Sequence, residues 1–392
     1  MNASEGPLIY IIAGEPSGDL LGGRLMAALK AGANGAVRFA GIGGETMRAE
    51  GLHSLFPMTE LSVMGLVEVL PRLPNILRRI KLTLSDIETK RPDAVLTIDS
   101  WGFTGRIHGG LKKRGSTIPR IHYVAPMVWA WKSGRTKTLA RVLDLLLTLL
   151  PNEPEWFEKE GLRSVHVGHP VIEGGAGRGD GPGFRTRHGI SAEAKVVCVL
   201  PGSRHSETAK LLPPFAATLA ILACRHPDLI AVVPTVETVA EEVAAAARFW
   251  PLPTIVIRGA AEKHDAFAAC DVALAASGTV ALELAMAGLP AVITYKVSKL
   301  SAFVATRFLG LSLKFVTLVN ILVDEPVMPE LLQDRCRPDA LAEAVDHLLG
   351  DPAAREAQRS GARRALAKLG LGGRSPSARA AETVLDFIGE KR

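Results

Sequence analysis

The chain of 392 residues is 47% hydrophobic and 22% charged, which excludes a disordered polymer and allows two or three cores at roughly 150 residues each. A net charge of +6 with 5% aromatics suits phosphates or an acidic membrane surface, and no Lys/Arg block argues for nucleic acid. Cys198, Cys224, Cys270 and Cys336 are scattered without a C-x-x-C pair, which excludes a zinc ribbon or a disulfide framework.

The N-terminus has no basic stretch ahead of an apolar run, so no signal peptide is expected. No uncharged apolar run reaches about 18 residues, so no spanning helix is expected either. Phe303 to Val323 comes nearest and is broken by Arg307, Lys314 and Asn320.

Short β-branched runs predict strands at Leu8–Ala13, Val37–Gly41, Ala94–Ile98, Ile121–Val124 and Leu145–Leu150 in the first half. In the second half they predict strands at Val196–Leu200, Ile230–Val233, Thr254–Ile257, Val272–Ala275 and Ala291–Thr294. Such continuous apolar runs read as parallel strands covered on both faces. Between them lie helical patterns; Leu21, Leu25, Ala28 and Leu29 after the first strand share one face. Two strand–helix series imply two doubly wound α/β units. The Gly-rich stretch Glu173 to Phe184 reads as a linker that holds no helix. The first unit then spans 1–172 and the second 185–364, with an Ala/Arg-rich helical tail whose last helix starts at Ser375-Pro376.

Several strand ends carry polar loops. Ala13-Gly14-Glu15-Pro16-Ser17-Gly18-Asp19 joins the first strand to a helix, where small residues admit a ligand and the helix terminus favours anions. Its spacing is not G-x-G-x-x-G, and a tight turn with a Ser17 or Asp19 cap would look the same. Asp99 closes the third strand and is either a candidate general base or a helix cap. His122, Tyr123, Trp129 and Trp131 gather after the fourth strand, as a sugar- or acyl-binding surface or as core. In the second half, Gly202-Ser203-Arg204 and Ser277-Gly278-Thr279 each follow a strand and open a helix, an arrangement suited to a diphosphate. Glu283, one turn further, can accept from a ribose diol. Met58 to Leu73 and Lys296 to Val323 mix long apolar side chains with charges, as at a membrane interface or in buried amphipathic helices.

Together A-G-E-P-S-G-D from Ala13, S-V-M-G-L-V-E-V-L from Ser62, I-H-Y-V-A-P-M-V-W-A-W from Ile121, V-G-H-P from Val167, L-P-G-S-R from Leu200 and A-S-G-T-V-A-L-E from Ala276 resemble the lipid-A-disaccharide synthase family. The resemblance implies a GT-B fold, with two Rossmann-like domains facing a cleft and the tail, from about 365 to 392, returning to the first. It implies inverting transfer of 2,3-diacylglucosamine from its UDP conjugate to 2,3-diacylglucosamine 1-phosphate. The products are the β-1′,6-linked disaccharide 1-phosphate and UDP, formed without a metal or other cofactor. It further implies a cytoplasmic enzyme of Gram-negative bacteria, peripheral on the anionic inner-membrane surface, and a homodimer that can swap the C-terminal helix. On this basis Asp99 is the expected base, with Glu15 in reserve. Gly202, Ser203, Arg204, Ser277, Gly278, Thr279, Glu283 and Asn320 are expected at UDP. Ser17, Gly18, His122 and Trp129 are expected on the acceptor side. One loop departs from the family's D-[AS]-P-D-F-N pattern, reading Asp99-Ser100-Trp101-Gly102-Phe103-Thr104, which removes a second carboxylate. The competing readings are another UDP-sugar enzyme of this fold, such as an epimerase, and a non-catalytic nucleotide- or lipid-binding relative.

Overall fold

The computed structural model describes residues 6–61, 66–126, 134–296 and 314–391. It divides into two compact units, Met1–Pro170 with Gly372–Arg392, and Val171–Leu371. In the first, β1 (Leu8–Ala13), β2 (Arg38–Ile42), β3 (Ala94–Ile98), β4 (Arg120–Tyr123), β5 (Leu145–Thr148) and β6 (Ser164–His166) form a parallel sheet ordered β2-β1-β3-β4-β5-β6. Register follows from the apolar pattern: Ile9 lies opposite Phe39 on one side and Ala94 on the other.

Alternation along β1 explains both helix layers. Ile9 and Ile11 pack with Leu25 and Leu29 of helix Pro16–Gly32 and with Val384 and Phe387 of helix Pro376–Lys391. Tyr10 and Ile12 pack with Ile80 and Leu84 of helix Leu66–Lys90 and with Ile107 and Leu111 of helix Trp101–Lys113. All four β1 residues are fully buried, so the strand reads as one unbroken apolar run. Arg379 Nη2 donates to His166 O at 2.6 Å and fastens the last helix to the strand end of β6.

The second unit holds β7 (Val196–Leu200), β8 (Ile230–Thr235), β9 (Thr254–Arg258), β10 (Val272–Ala276), β11 (Ala291–Tyr295) and β12 (Glu330–Leu332), parallel and ordered β12-β11-β10-β7-β8-β9. Val197 and Val199 pack with Leu211, Phe215 and Leu219 of helix His205–Arg225 and with Leu341 and Val345 of helix Pro338–Gly350. Among the described residues, His205–Arg225 is one helix long and apolar enough to cross a bilayer by length and composition. Here its apolar side fills the core: Leu211, Phe215, Leu219 and Leu222 are at most 1% exposed.

Residues 173–184 correct the expectation of a helix-free linker. They open the second unit, and helix Gly181–Arg187 begins within them. Asp180 Oδ1 caps that helix by accepting from Gly183 N at 2.9 Å. A Cβ on Gly179 would stand 2.1 Å from His264 O, and one on Gly181 2.4 Å from Ala268 O. These glycines let helix Lys263–Ala269 approach closely and do not mark a loose joint.

Candidate active site

Strand order reverses between β1 and β3 in the first sheet and between β7 and β10 in the second. The loops that leave neighbouring strands there run in opposite directions and open a crevice at the carboxyl ends. Each reversal carries a cavity.

At the first, a cavity of about 220 Å³ is lined by Gly14, Glu15 and Ser100, by Arg106, and by the apolar Leu61, Ile76, Leu77, Trp101 and Phe103. Ser100 Oγ donates to Glu15 Oε1 at 3.1 Å, tying the two strand ends together. Asp99 precedes the lining residue Ser100, is half-buried and does not itself line the cavity; its Oδ1 accepts from Ser100 N at 2.7 Å. Asp99 N donates to Tyr123 O at 2.9 Å. Both Asp99 (φ 51) and Ser100 (φ 46) are left-handed, as is Val124 (φ 79) after β4. Two successive non-glycine residues in that region, and a β-branched one beside them, store backbone strain of the kind that collects at functional sites.

The other first-unit residues go elsewhere. Ser17 is exposed and Gly18 buried at the start of helix Pro16–Gly32, and neither lines the cavity. His122 was expected on the acceptor side, but its ring is fully buried behind Trp101, with 4.9 Å between ring centroids. Thr97 Oγ1 bridges His122 Nδ1 (2.6 Å) and His108 Nε2 (2.7 Å). Burial pushes the His122 imidazole down to about 3 and that of His108 well below the usual range, so both are neutral at pH 7. His122 is a structural support for Trp101. Trp129 lies outside the described residues, as does most of Lys296–Val323.

At the second reversal a cavity of about 640 Å³ brings together Gly202, Ser203, Arg204, Ser277, Gly278, Thr279 and Glu283. Gly202 has φ 115, and a Cβ there would stand 2.7 Å from Glu207 Cβ, so this turn requires glycine. Glu207, in the first turn of the following helix, accepts from Ser203 N at 3.0 Å and from Arg204 Nη1 at 2.7 Å. It holds the loop and aims the guanidinium. Across the cavity Lys263 is ion-paired with Glu283. Lys263 was missed in the sequence, although its place just after β9 is the same strand-end signal that marks Arg204. Asn320 corrects an expectation: it is 1% exposed and does not line this cavity. Its Nδ2 donates to Met328 O (2.8 Å) and Glu330 Oε1 (2.9 Å), and its Oδ1 accepts from Met328 N (2.8 Å). These three bonds pin the approach to β12.

Against known proteins, a family model described as lipid-A-disaccharide synthetase matches residues 9–384. A lipid-A-disaccharide synthase from Paramagnetospirillum magneticum is 78% identical over 97% of this chain and 97% of its own length. This chain belongs to the lipid-A-disaccharide synthase family. A second lipid-A-disaccharide synthase, from Rhodospirillum centenum, is 55% identical over 97% of this chain and 94% of its own. The solved MnaA–UDP co-structure from S. aureus is similar in fold, with a TM-score of 0.65 at 13% identity, covering 98% of this chain and 96% of that one. The fold is GT-B, with the last helix returning to the first unit. As a lipid-A-disaccharide synthase, the enzyme is a glycosyltransferase of lipid A biosynthesis. It moves 2,3-diacylglucosamine from UDP-2,3-diacylglucosamine to 2,3-diacylglucosamine 1-phosphate.

Proposed function

We propose that the two strand-order reversals divide this reaction between them, the second binding UDP and the first binding the acceptor and removing its proton. The difference in their side chains carries this reading. The second cavity offers a glycine turn, small hydroxyl residues and two cations, a fit for a diphosphate. The first has Glu15 on its lining, Asp99 next to the lining residue Ser100 at a left-handed strand end, and an apolar wall, a fit for a hydroxyl nucleophile on an acylated sugar.

In this scheme Asp99 takes the proton from the acceptor 6-hydroxyl as that oxygen attacks the anomeric carbon. The bond to UDP breaks on the opposite side, so the α-linked donor gives a β-linked product. Glu15 orients the acceptor through Ser100. Negative charge growing on UDP falls to Arg204, Lys263 and the N–H groups at Ser277–Thr279. Glu283, released from Lys263 by the diphosphate, accepts from the ribose. The enzyme works in the cytoplasm, peripherally on the anionic inner-membrane surface that supplies both lipids. Its apolar flank at Ile76 and Leu77 admits acyl chains. A homodimer forms by exchange of helix Pro376–Lys391 between copies.

The test is turnover followed by mass spectrometry, with both lipids in detergent, for the parent and for Asp99→Ala. Disaccharide 1-phosphate from the parent and a loss of about 10²–10⁴-fold in the variant is the expected outcome. Equal rates would remove Asp99 as the base. UDP binding without any product from the parent would favour a non-catalytic protein.

A further inference from the structure

Arg106 stands on the wall of the first cavity and takes no part in proton removal or in holding UDP. It is exposed, its guanidinium donates to Gly102 O, and it has no carboxylate partner among the described residues. Its surroundings in the chain are one-sided. Between Asp99 and Asp144 there are nine Lys and Arg residues and no acid. Two of these cations are neutralised from outside the stretch, Arg114 by Glu88 and Arg120 by Asp144. Arg106 is left with its charge facing the cavity.

Gly102 explains why. It lies one helical turn before Arg106, and a Cβ there would meet nothing within 4 Å. A carboxylate at 102 would sit at the i, i+4 spacing from Arg106 and pair with it. Glycine removes that competitor and opens space beside the guanidinium. The acceptor of this reaction has two polar ends on one pyranose ring, a 6-hydroxyl that attacks and a 1-phosphate that does not react. With the hydroxyl at Asp99, next to the lining residue Ser100, the second end needs a cation on the cavity wall, and a guanidinium matches a phosphate in a two-pronged geometry.

We infer that Arg106 binds the 1-phosphate of the acceptor and makes the enzyme select phosphorylated over unphosphorylated acceptor lipids. This rests on the first cavity being the acceptor side. The test uses the full chain in detergent with 2,3-diacylglucosamine 1-phosphate and with its dephosphorylated counterpart. Arg106→Ala is expected to raise KM for the phosphorylated acceptor about tenfold to a hundredfold. Its kcat and the donor KM stay as in the parent, and the two acceptors become equivalent. Gly102→Asp is expected to move KM in the same direction by neutralising Arg106. If Arg106→Ala keeps the parent's preference, or raises KM equally for both acceptors, the inference is overturned. Gly102→Trp, which fills the cavity, separates the two levels. Unchanged KM for both acceptors in that variant would remove the acceptor-side assignment itself, whereas a raised KM beside an unchanged preference in Arg106→Ala would overturn the role of Arg106 alone.

Discussion

The two strand-order reversals occupy equivalent places in their sheets, yet they are built in opposite ways. In the second, each cation is already paired with a carboxylate, Arg204 with Glu207 and Lys263 with Glu283. In the first, Glu15 and Asp99 have no ion pair among the described residues, and the backbone beneath Asp99 is held left-handed. The Arg204–Glu207 pair holds a long flexible cation in place before a ligand arrives and lowers the entropy lost on binding, while the Lys263–Glu283 pair is exchanged as the diphosphate enters. A base needs the reverse: a free carboxylate, placed by its backbone and by a short side chain. One fold thus supplies a rigid anion cradle and an unpaired base by changing only the loop at the end of each strand.

Exchanging the properties of the two sites would break this contrast. The largest effect is expected for Asp99→Asn, which should lower kcat by about 10²–10⁴-fold and leave the UDP dissociation constant at the parent value by calorimetry. Arg204→Ala should come next, with a loss of about 10²–10³-fold in kcat and weakened UDP binding. If UDP affinity fell in Asp99→Asn and held in Arg204→Ala, the division of labour would be reversed.

Asn320 sharpens the boundary of the second site. Asn320→Ala strips three hydrogen bonds and leaves the buried N–H and C=O of Met328 without their partner, so it should lower unfolding stability by about 2–3 kcal/mol. UDP affinity should not change at temperatures where the variant is folded. A selective loss of UDP binding with normal denaturant unfolding would return Asn320 to the nucleotide.

A smaller effect concerns the support of the first site. His122 is held neutral down to about pH 3, while in the unfolded chain it protonates near pH 6.5. Below pH 6.5 the unfolded state therefore binds the extra proton, and stability falls as pH drops. Between pH 7 and pH 5 this one group should remove about 2 kcal/mol of unfolding free energy. Urea unfolding of the parent and of His122→Phe at both pH values checks it, the variant showing the weaker dependence.

How much of this was legible beforehand depends on what each position had to satisfy. Ten strands announced themselves because burial on both faces demands unbroken apolar runs such as Tyr10 to Ala13 and Val196 to Leu200. The two short strands that went unread, Ser164–His166 and Glu330–Leu332, lie at sheet edges, where one side is unpaired and polar residues are tolerated. The strand-end loops at Glu15, Asp99, Arg204 and Ser277 were legible because topology places strand ends at the crevice. His122 and Asn320 misled for a shared reason. Both are polar residues near candidate loops, and only the fold shows that one is sealed behind Trp101 and the other is spent on Met328. The glycines of 173–184 misled because composition does not distinguish a flexible chain from one that admits a neighbouring helix.

The place of helix Pro376–Lys391 has a consequence for how the polypeptide is made. A ribosome completes every residue of Val171–Leu371 before it reaches Pro376, so the second unit can close on itself while the first still waits. Synthesis at about 5–20 residues per second makes that wait roughly ten to forty seconds. Throughout it, helix Pro16–Gly32 lacks the helix that packs against it in the finished fold, and the half of the enzyme begun first is the half finished last.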